Sequence, residues 1–502
     1  MTEVSKRYLI YPTVPTDLDG QSSIIFPPTD TLALSFVLEF VWVLPTFIDI
    51  TRHNEALSKT LQKFPPVAGR LRKLPDTDRA KGSIYIQLTN SAIPVSVVEN
   101  YDGTRVNLDN AIVPSTAEWT DSFPGNEILE KDEPLLRFRF TKINKTGQMA
   151  YGLAWSHALG DGFILNLFLQ YISHFYRGLD ASSLPRPSFE KVFFPAPPSD
   201  TSAAKRFLPL MKHIRDAKPM QELVAATMQS QESTKPLNFV FSVPQMELLY
   251  KRAIAAAPEP SRAMFSKIDV LIAYLVFVYN TVLAEVHPDS EGIDTVVTTI
   301  EYRGNPSFAP TAMFGNAAIT FTCPSFHAPS PLSKDAGARQ RLQYFGRSIV
   351  AIAHSIRAGI IQTRSPAFLG QYLLYHNELC RRSYQQGLYQ YILPATPREI
   401  TFNSSYKVPW RTAVDFYEPG SKHAGGRMTT FHTNAILERY IRIFPANPIP
   451  IFDKDGKLLN CDMSFDGGVE VAFRLDSSMA DLFKGKVELD MTSGFGYSFA
   501  NL

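Results

Sequence analysis

Cysteine is scarce in this 502-residue chain: Cys323, Cys380 and Cys461 lie far apart and form no CxxC pair. That argues against a disulfide framework or a cysteine-rich zinc site and suits a reducing compartment. An excess of one charge is also missing. Fifty Lys and Arg against 48 Asp and Glu leave a formal net charge of +2, so neither nucleic acid nor an anionic membrane is indicated as principal partner. The most apolar long stretch, residues 32–50, carries Glu39, Pro45 and Asp49; it reads as core strands, and no membrane span is expected. Near the N-terminus Lys6 and Arg7 are followed by Pro12, Pro15, Asp17 and Asp19, which break any apolar signal core. The final Phe-Ala-Asn-Leu matches neither a retention nor a peroxisomal signal. The expectation is a cytoplasmic protein.

Several chemical motifs are lacking as well. No Walker loop, HExxH or GxSxG occurs, which leaves phosphate cradles, that zinc-protease type and the nucleophile elbow without support. Gly160-Asp-Gly162 begins like a dinucleotide fingerprint, but Leu165 stands where the third glycine belongs. No bound metal or resident cofactor is implied.

What is present is an ample core, with 45% hydrophobic and 20% charged residues. The length exceeds one ordinary core, so two or three domains are expected. The stretch that organises the chain is Ser156-His-Ala-Leu-Gly-Asp-Gly162. A strand-like run, 149–155, leads into it and an apolar helix-like run, 163–176, leads out. His157 therefore sits where a strand ends, on a glycine-bearing turn before a helix. Two readings fit that local pattern: a neutral imidazole that accepts a proton near pH 7, or a histidine buried and satisfied at a corner. His287 with Glu291 is the nearest imitation, in a polar and exposed loop.

Taken in order, residues 32–43 suggest an early strand. Residues 49–64 suggest a helix, with Leu57 and Leu61 four apart and Pro65-Pro66 stopping it. Residues 84–88 and 95–98 read as strands. In 135–141, Leu136, Phe138 and Phe140 share one face, and this run forms a hairpin with 149–155 across Thr146-Gly147. Prolines at 185, 187, 195, 197 and 198 mark a crossover between domains. A polar helical stretch follows it. Helices are expected at 244–255, 267–286 (apolar nearly all round, hence buried) and 339–360. Strands are expected at 237–241, 295–303 and 467–473. The boundaries are 1–185 for an N-terminal domain, 186–236 for the linker and 237–502 for a C-terminal domain.

The set of motifs resembles the BAHD acyltransferases, whose hallmark is HxxxDG near the chain middle. His157, Asp161 and Gly162 match it, and Pro66-Val-Ala-Gly-Arg-Leu71, Glu301-Tyr-Arg303, Phe314-Gly-Asn316 and Gly467-Gly-Val-Glu-Val471 match further segments in order. Asp415-Phe416 matches the start of the family's DFGWG, whose Gly-Trp-Gly is replaced by Tyr417-Glu418-Pro419.

The resemblance implies an α/β fold, mixed α+β, of two chloramphenicol-acetyltransferase-like domains with mixed sheets flanked by helices and an active-site channel between them. It implies His157 as general base, with Gly162 in its turn, Asp161 as a structural residue paired with Arg303, and Asp415 supporting a loop far from the reacting bond. Asn403, Ser404 and Ser405 fall where family members line the CoA side. Acyl-CoA, acetyl-CoA first, is the implied co-substrate. A small-molecule hydroxyl acceptor from specialised metabolism is its partner, in the manner of the fungal branch, and the protein acts as a monomer. The chemistry suits one histidine: it takes the acceptor's proton and passes it onward, help worth roughly 10²–10⁴ in rate, with no covalent enzyme intermediate. Two rivals stay open. A condensation-domain-like enzyme uses carrier-tethered substrates, but Ser156 stands where its paired histidine is usual. The other is an inactive binding homologue. Trp155 and Trp410 read as core aromatics near the two motifs.

Overall fold

The computed structural model describes residues 4–496 apart from 15–19, 31–35, 76–83, 100, 102, 104–107, 196, 198–204, 212–216, 258–263, 306, 328–335 and 390–395. The first half runs β1 (Lys6–Ile10), β2 (Ser23–Phe26), β3 (Val37–Leu44), α1 (Ile50–Lys63), β4 (Arg70–Lys73), β5 (Ile84–Gln87), β6 (Ile93–Val98), β7 (Leu136–Ile143), β8 (Gln148–Ser156) and α2 (Gly162–Tyr176). The second half runs α3 (Met220–Ser233), β9 (Thr234–Phe241), α4 (Val243–Ala256), α5 (Lys267–Val286), β10 (Thr295–Glu301), β11 (Ala318–Thr322), α6 (Ala338–Arg364) and α7 (Pro366–Gln385). It ends with β12 (Glu399–Ser404), β13 (Thr430–Thr433), β14 (Tyr440–Pro445), β15 (Ile449–Phe452), β16 (Leu458–Asp462), β17 (Val469–Asp476) and α8 (Ser477–Ser493).

Local chemistry accounts for the elements that hold the site. The Asp49 carboxylate caps α1 by accepting from the N–H groups of Thr51 and Arg52, and Leu57 and Leu61 on its inner face are fully buried. Leu136, Phe138 and Phe140 alternate into the core, and β7 turns into β8 through Gly147 at φ +75°, a left-handed position that favours glycine. β8 is buried along its whole length, as a central strand must be.

Two six-stranded mixed sheets result, ordered β1-β6-β7-β8-β3-β13 and β11-β10-β12-β14-β17-β9. The first contains one parallel pair, β6 with β7; the second contains two, β10 with β12 and β12 with β14. A three-stranded sheet β2-β5-β4 and the hairpin β15-β16 are smaller additions. Helix α5 is long and apolar enough to cross a membrane by length and composition, yet 72% of its most apolar window is buried within the protein. It packs among α4, α6 and α8.

Two features cross the expected boundaries or add to them. The range 237–502 is not confined to one sheet. β13 crosses over and pairs antiparallel with β3, Thr433 facing Phe40. It covers an edge whose backbone groups would otherwise stand unpaired, and Phe431 stacks on Trp410 at 4.7 Å. The range 186–236 holds the polar helical stretch expected after the prolines, and part of it packs against the second half. Ser188 bridges to Met313, Lys191 is buried and α3 occupies 220–233. The early strand begins at Val37; the expected residues 32–35 lie outside those described.

Candidate active site

His157 opens a short 3₁₀ turn, His157–Leu159, directly after β8. Its N–H donates to the carbonyl of Phe36 at 2.9 Å, and its own carbonyl accepts from the Gly160 N–H at 3.1 Å. The same carbonyl accepts from Asn316 Nδ2 at 3.2 Å, a residue of the second half. The indole of Trp155, fully buried, donates to the Gly160 carbonyl at 2.9 Å. The bland reading of Trp155 as a core aromatic is therefore incomplete, because it also holds this turn. The His157 ring is partly accessible. Its Nδ1 is buried without a hydrogen-bond partner.

The glycines of the turn answer to close approaches. Gly160, at φ +142°, forms a bridge with Gly315, and a Cβ there would lie 2.8 Å from the Gly315 carbonyl oxygen. A Cβ at Gly162 would lie 2.8 Å from the ring of Trp410. Both positions are where the second half presses on the turn.

Asp161 caps α2, its Oδ1 accepting from the Phe163 N–H at 3.1 Å. Oδ2 accepts from Arg303 Nη1 at 2.8 Å and from the Ala317 N–H at 3.1 Å. Burial pushes this carboxyl up, but the guanidinium charge and these hydrogen bonds outweigh it and hold it below the usual aspartate value. Arg303 further donates to the carbonyls of Met313 and Gly315 and to Glu301, and its guanidinium lies over the Phe163 ring at 5.0 Å. One arginine thus ties the helix start to the Gly315 turn.

A second ion pair adjoins the first. Lys191 Nζ and Asp30 Oδ2 are 3.3 Å apart with side chains only 3% and 2% exposed. Burial drives Asp30 up and Lys191 down, each partly opposed by its partner. The Asn316 side chain, which donates to the His157 carbonyl, also helps draw Asp30 back down. Sequence reasoning missed this pair. Its members are 161 residues apart, and a lysine in a proline-rich segment carries no signal of its own.

The remaining predicted site residues are spread out. Asp415 pairs with Arg177 at 3.1 Å, and its N–H donates to Ser173 Oγ. Arg177 caps the C-terminal end of α2, a helix about 22 Å long at 1.5 Å per residue, so Asp415 lies at the end remote from His157. The divergent Tyr417-Glu418-Pro419 follows there, with the Tyr417 N–H on Asp415 Oδ1. Asn403 donates to the Tyr440 hydroxyl at 3.2 Å. The Ser405 carbonyl accepts from Trp410 Nε1 at 3.2 Å, and Trp410 reaches Gly162, so Ser404 and Ser405 stand one tryptophan away from the turn. A cleft of about 350 Å³ lined by Gln148, His432 and Glu470 lies at the other end of β8, about 30 Å from His157 at 3.3 Å per residue. Among the described residues no group of His, Cys, Asp and Glu is placed to hold a metal ion.

A family model described as the transferase family matches residues 45–330, more than half of the chain. The chain belongs to the transferase family. The likeness is of BAHD type. An alcohol acyl transferase of Malus domestica (allele RGb) is 27% identical over 270 residues, 53% of this transferase and 54% of that protein. A phenolic glucoside malonyltransferase of Bemisia tabaci is 27% identical over 199 residues, 37% and 42% respectively. The match thus spans about half the length of these curated relatives. Among solved structures, vinorine synthase superposes with a TM-score of 0.59 at 17% identity, covering 96% of each chain. TRI101 of F. graminearum, complexed with coenzyme A and deoxynivalenol, gives 0.61 at 13% identity, covering 93% of this transferase and 97% of that chain. These likenesses establish the two-domain, chloramphenicol-acetyltransferase-like fold.

Proposed function

We propose that this transferase moves an acyl group, acetyl first, from acyl-CoA to a hydroxyl of a specialised metabolite of terpenoid or polyketide kind, as in the fungal secondary-metabolism branch. The observation that carries the reading is the His157 turn. A partly accessible imidazole stands at a strand end, and side chains from the other half grip the turn through Asn316 and Arg303. In the step proposed, Nε2 of His157 takes the acceptor hydroxyl proton as the oxygen attacks the thioester carbonyl. The tetrahedral intermediate collapses with loss of the CoA thiolate, which takes that proton back from the imidazolium. Donor and acceptor are bound together, and no enzyme residue is acylated. Asp161 and Arg303 hold the turn without touching the reacting atoms, and Asn403, Ser404 and Ser405 belong to the CoA side.

The family match and the solved complexes with coenzyme A and toxins support this reading. Ser156, where carrier-dependent relatives have a second histidine, is fully buried, which disfavours that alternative. The same reading has a monomer working in the cytoplasm with small molecules as its only partners. The test is thiol release from acetyl-CoA with a panel of hydroxylated terpenoids and polyketides, for wild type and His157→Ala. The expected result is turnover that falls roughly 10²–10⁴-fold in the variant while acetyl-CoA still binds by calorimetry. Absence of acyl-CoA binding, or undiminished transfer by His157→Ala, would sink it.

A further inference from the structure

Arg442 lies in the middle of β14, on the face turned toward the first half. Its neighbours Ile441 and Ile443 point into the helical core of the second half, whereas Phe444 joins the core of the first. Its cross-strand neighbours are Asn403 on β12 and Ala472 on β17. The guanidinium lies over the Phe444 ring at 4.9 Å and donates from Nη1 to the Asn434 carbonyl. Among the described residues it makes no ion pair, and neither Nε nor Nη2 has a partner. The acids on neighbouring elements are committed elsewhere. Glu39 accepts from Thr116, Thr120 and Asn434. Glu470 accepts from the N–H groups of Ala111 and Ile112 and from Asn238.

Taking a guanidinium even partly out of water without an ion partner is unfavourable, and the chain keeps one here, partly accessible, between its two halves. Burial lowers it only to about 10, opposed by nearby Tyr440, so it is cationic at neutral pH. With Nη1 occupied, the free edge is Nε with Nη2, the side-on fork that matches the two oxygens of a carboxylate. The place is close to the candidate base. Asn434 Nδ2 bonds Glu39, three residues along β3 from Phe36, whose carbonyl holds His157. Arg442 is thus linked to the His157 turn through Asn434 and β3.

We infer that Arg442, beside Asn403 and Tyr440, forms a subsite that takes a carboxylate carried by one of the two substrates meeting at His157. This rests on the acyl-transfer reading and names a substrate class within it. A carboxylate can come from the acceptor or from a malonyl-type donor.

The test is calorimetry on the full chain in a His157→Ala background, which removes turnover, with and without Arg442→Met and Arg442→Lys. The probe pairs are 3-hydroxybenzoate against its methyl ester, with CoA present, and malonyl-CoA against acetyl-CoA. With Arg442 intact, one carboxylate probe binds at least about tenfold tighter than its neutral analogue. Arg442→Met collapses that preference to within about twofold, and Arg442→Lys retains part of it. Preference in the first pair assigns the carboxylate to the acceptor, and preference in the second assigns it to the donor. No preference in either pair, or one that survives Arg442→Met, overturns the inference. So does an equal loss of acetyl-CoA affinity in Arg442→Met, which would make Arg442 a phosphate contact. If the Met variant fails to fold by thermal melting, the Lys variant carries the comparison. Loss of all acyl-CoA binding with Arg442 intact would instead count against acyl transfer itself.

Discussion

Arg303 Nη1 donates to Asp161 Oδ2 at 2.8 Å across 142 residues of chain, joining the start of α2 to the segment after β10. The arginine side chain is 3% exposed and the aspartate 18%, so water can do little to replace the pairing. Arg303→Met leaves a carboxylate uncompensated. A loss of about 3–5 kcal/mol in stability is expected, measured by denaturant unfolding, together with a lower kcat as the His157 turn loosens. Wild-type stability in the variant would show that the pair carries no weight.

The Lys191–Asp30 pair lends itself to a double-mutant cycle. Lys191→Met alone strands a buried carboxylate and is expected to cost about 3–5 kcal/mol, whereas Lys191→Met with Asp30→Leu removes both charges and costs less than either single change. Strictly additive losses would mean that the two groups do not interact.

Three buried histidines bear on acid stability. Burial lowers His53, His376 and His432 from 6.5 to about 4 in the folded chain. Between those values the unfolded chain binds protons that the folded chain refuses. Their contribution is therefore whole above about pH 6.5 and is lost as pH falls toward 4, by about 1.4 kcal/mol per pH unit for each. Unfolding midpoints in urea at pH 7, 6 and 5 are expected to fall in step. A flat profile would contradict the assignment of these rings as neutral and buried.

Asp415 stands at the far end of α2 with Arg177, their side chains 10% and 15% exposed. Asp415→Ala is expected to lower the melting temperature through an unpaired Arg177 and a lost hydrogen bond to the Tyr417 N–H. Turnover per folded molecule should change less than about threefold, against the roughly 10²–10⁴-fold loss from removing a base. A kcat collapse with native-like melting would place Asp415 in the chemistry instead.

Much of the scaffold was readable in advance because it depends on near neighbours. Helix α5 has the bounds its apolar run predicts, and the β7–β8 hairpin follows from alternation and Gly147. The His157 turn was legible for the same reason: strand end, glycines and helix start are consecutive in the chain. The Asp161–Arg303 pairing was read through family likeness, since no spacing in one chain announces a contact 142 residues long.

Other features depended on which distant surfaces meet. Burial of Lys191 against Asp30, the crossing of β13 to the edge of β3, the double duty of Trp155, and the unpaired edge of Arg442 are not properties of any local segment. A side chain's charge state and partners depend on the dielectric and the groups around it, and those exist only once the two sheets have closed on each other. Local propensity and periodicity made the strands, the helices and the histidine turn. Long-range packing decided which of the charges between the two halves are paired and which are not.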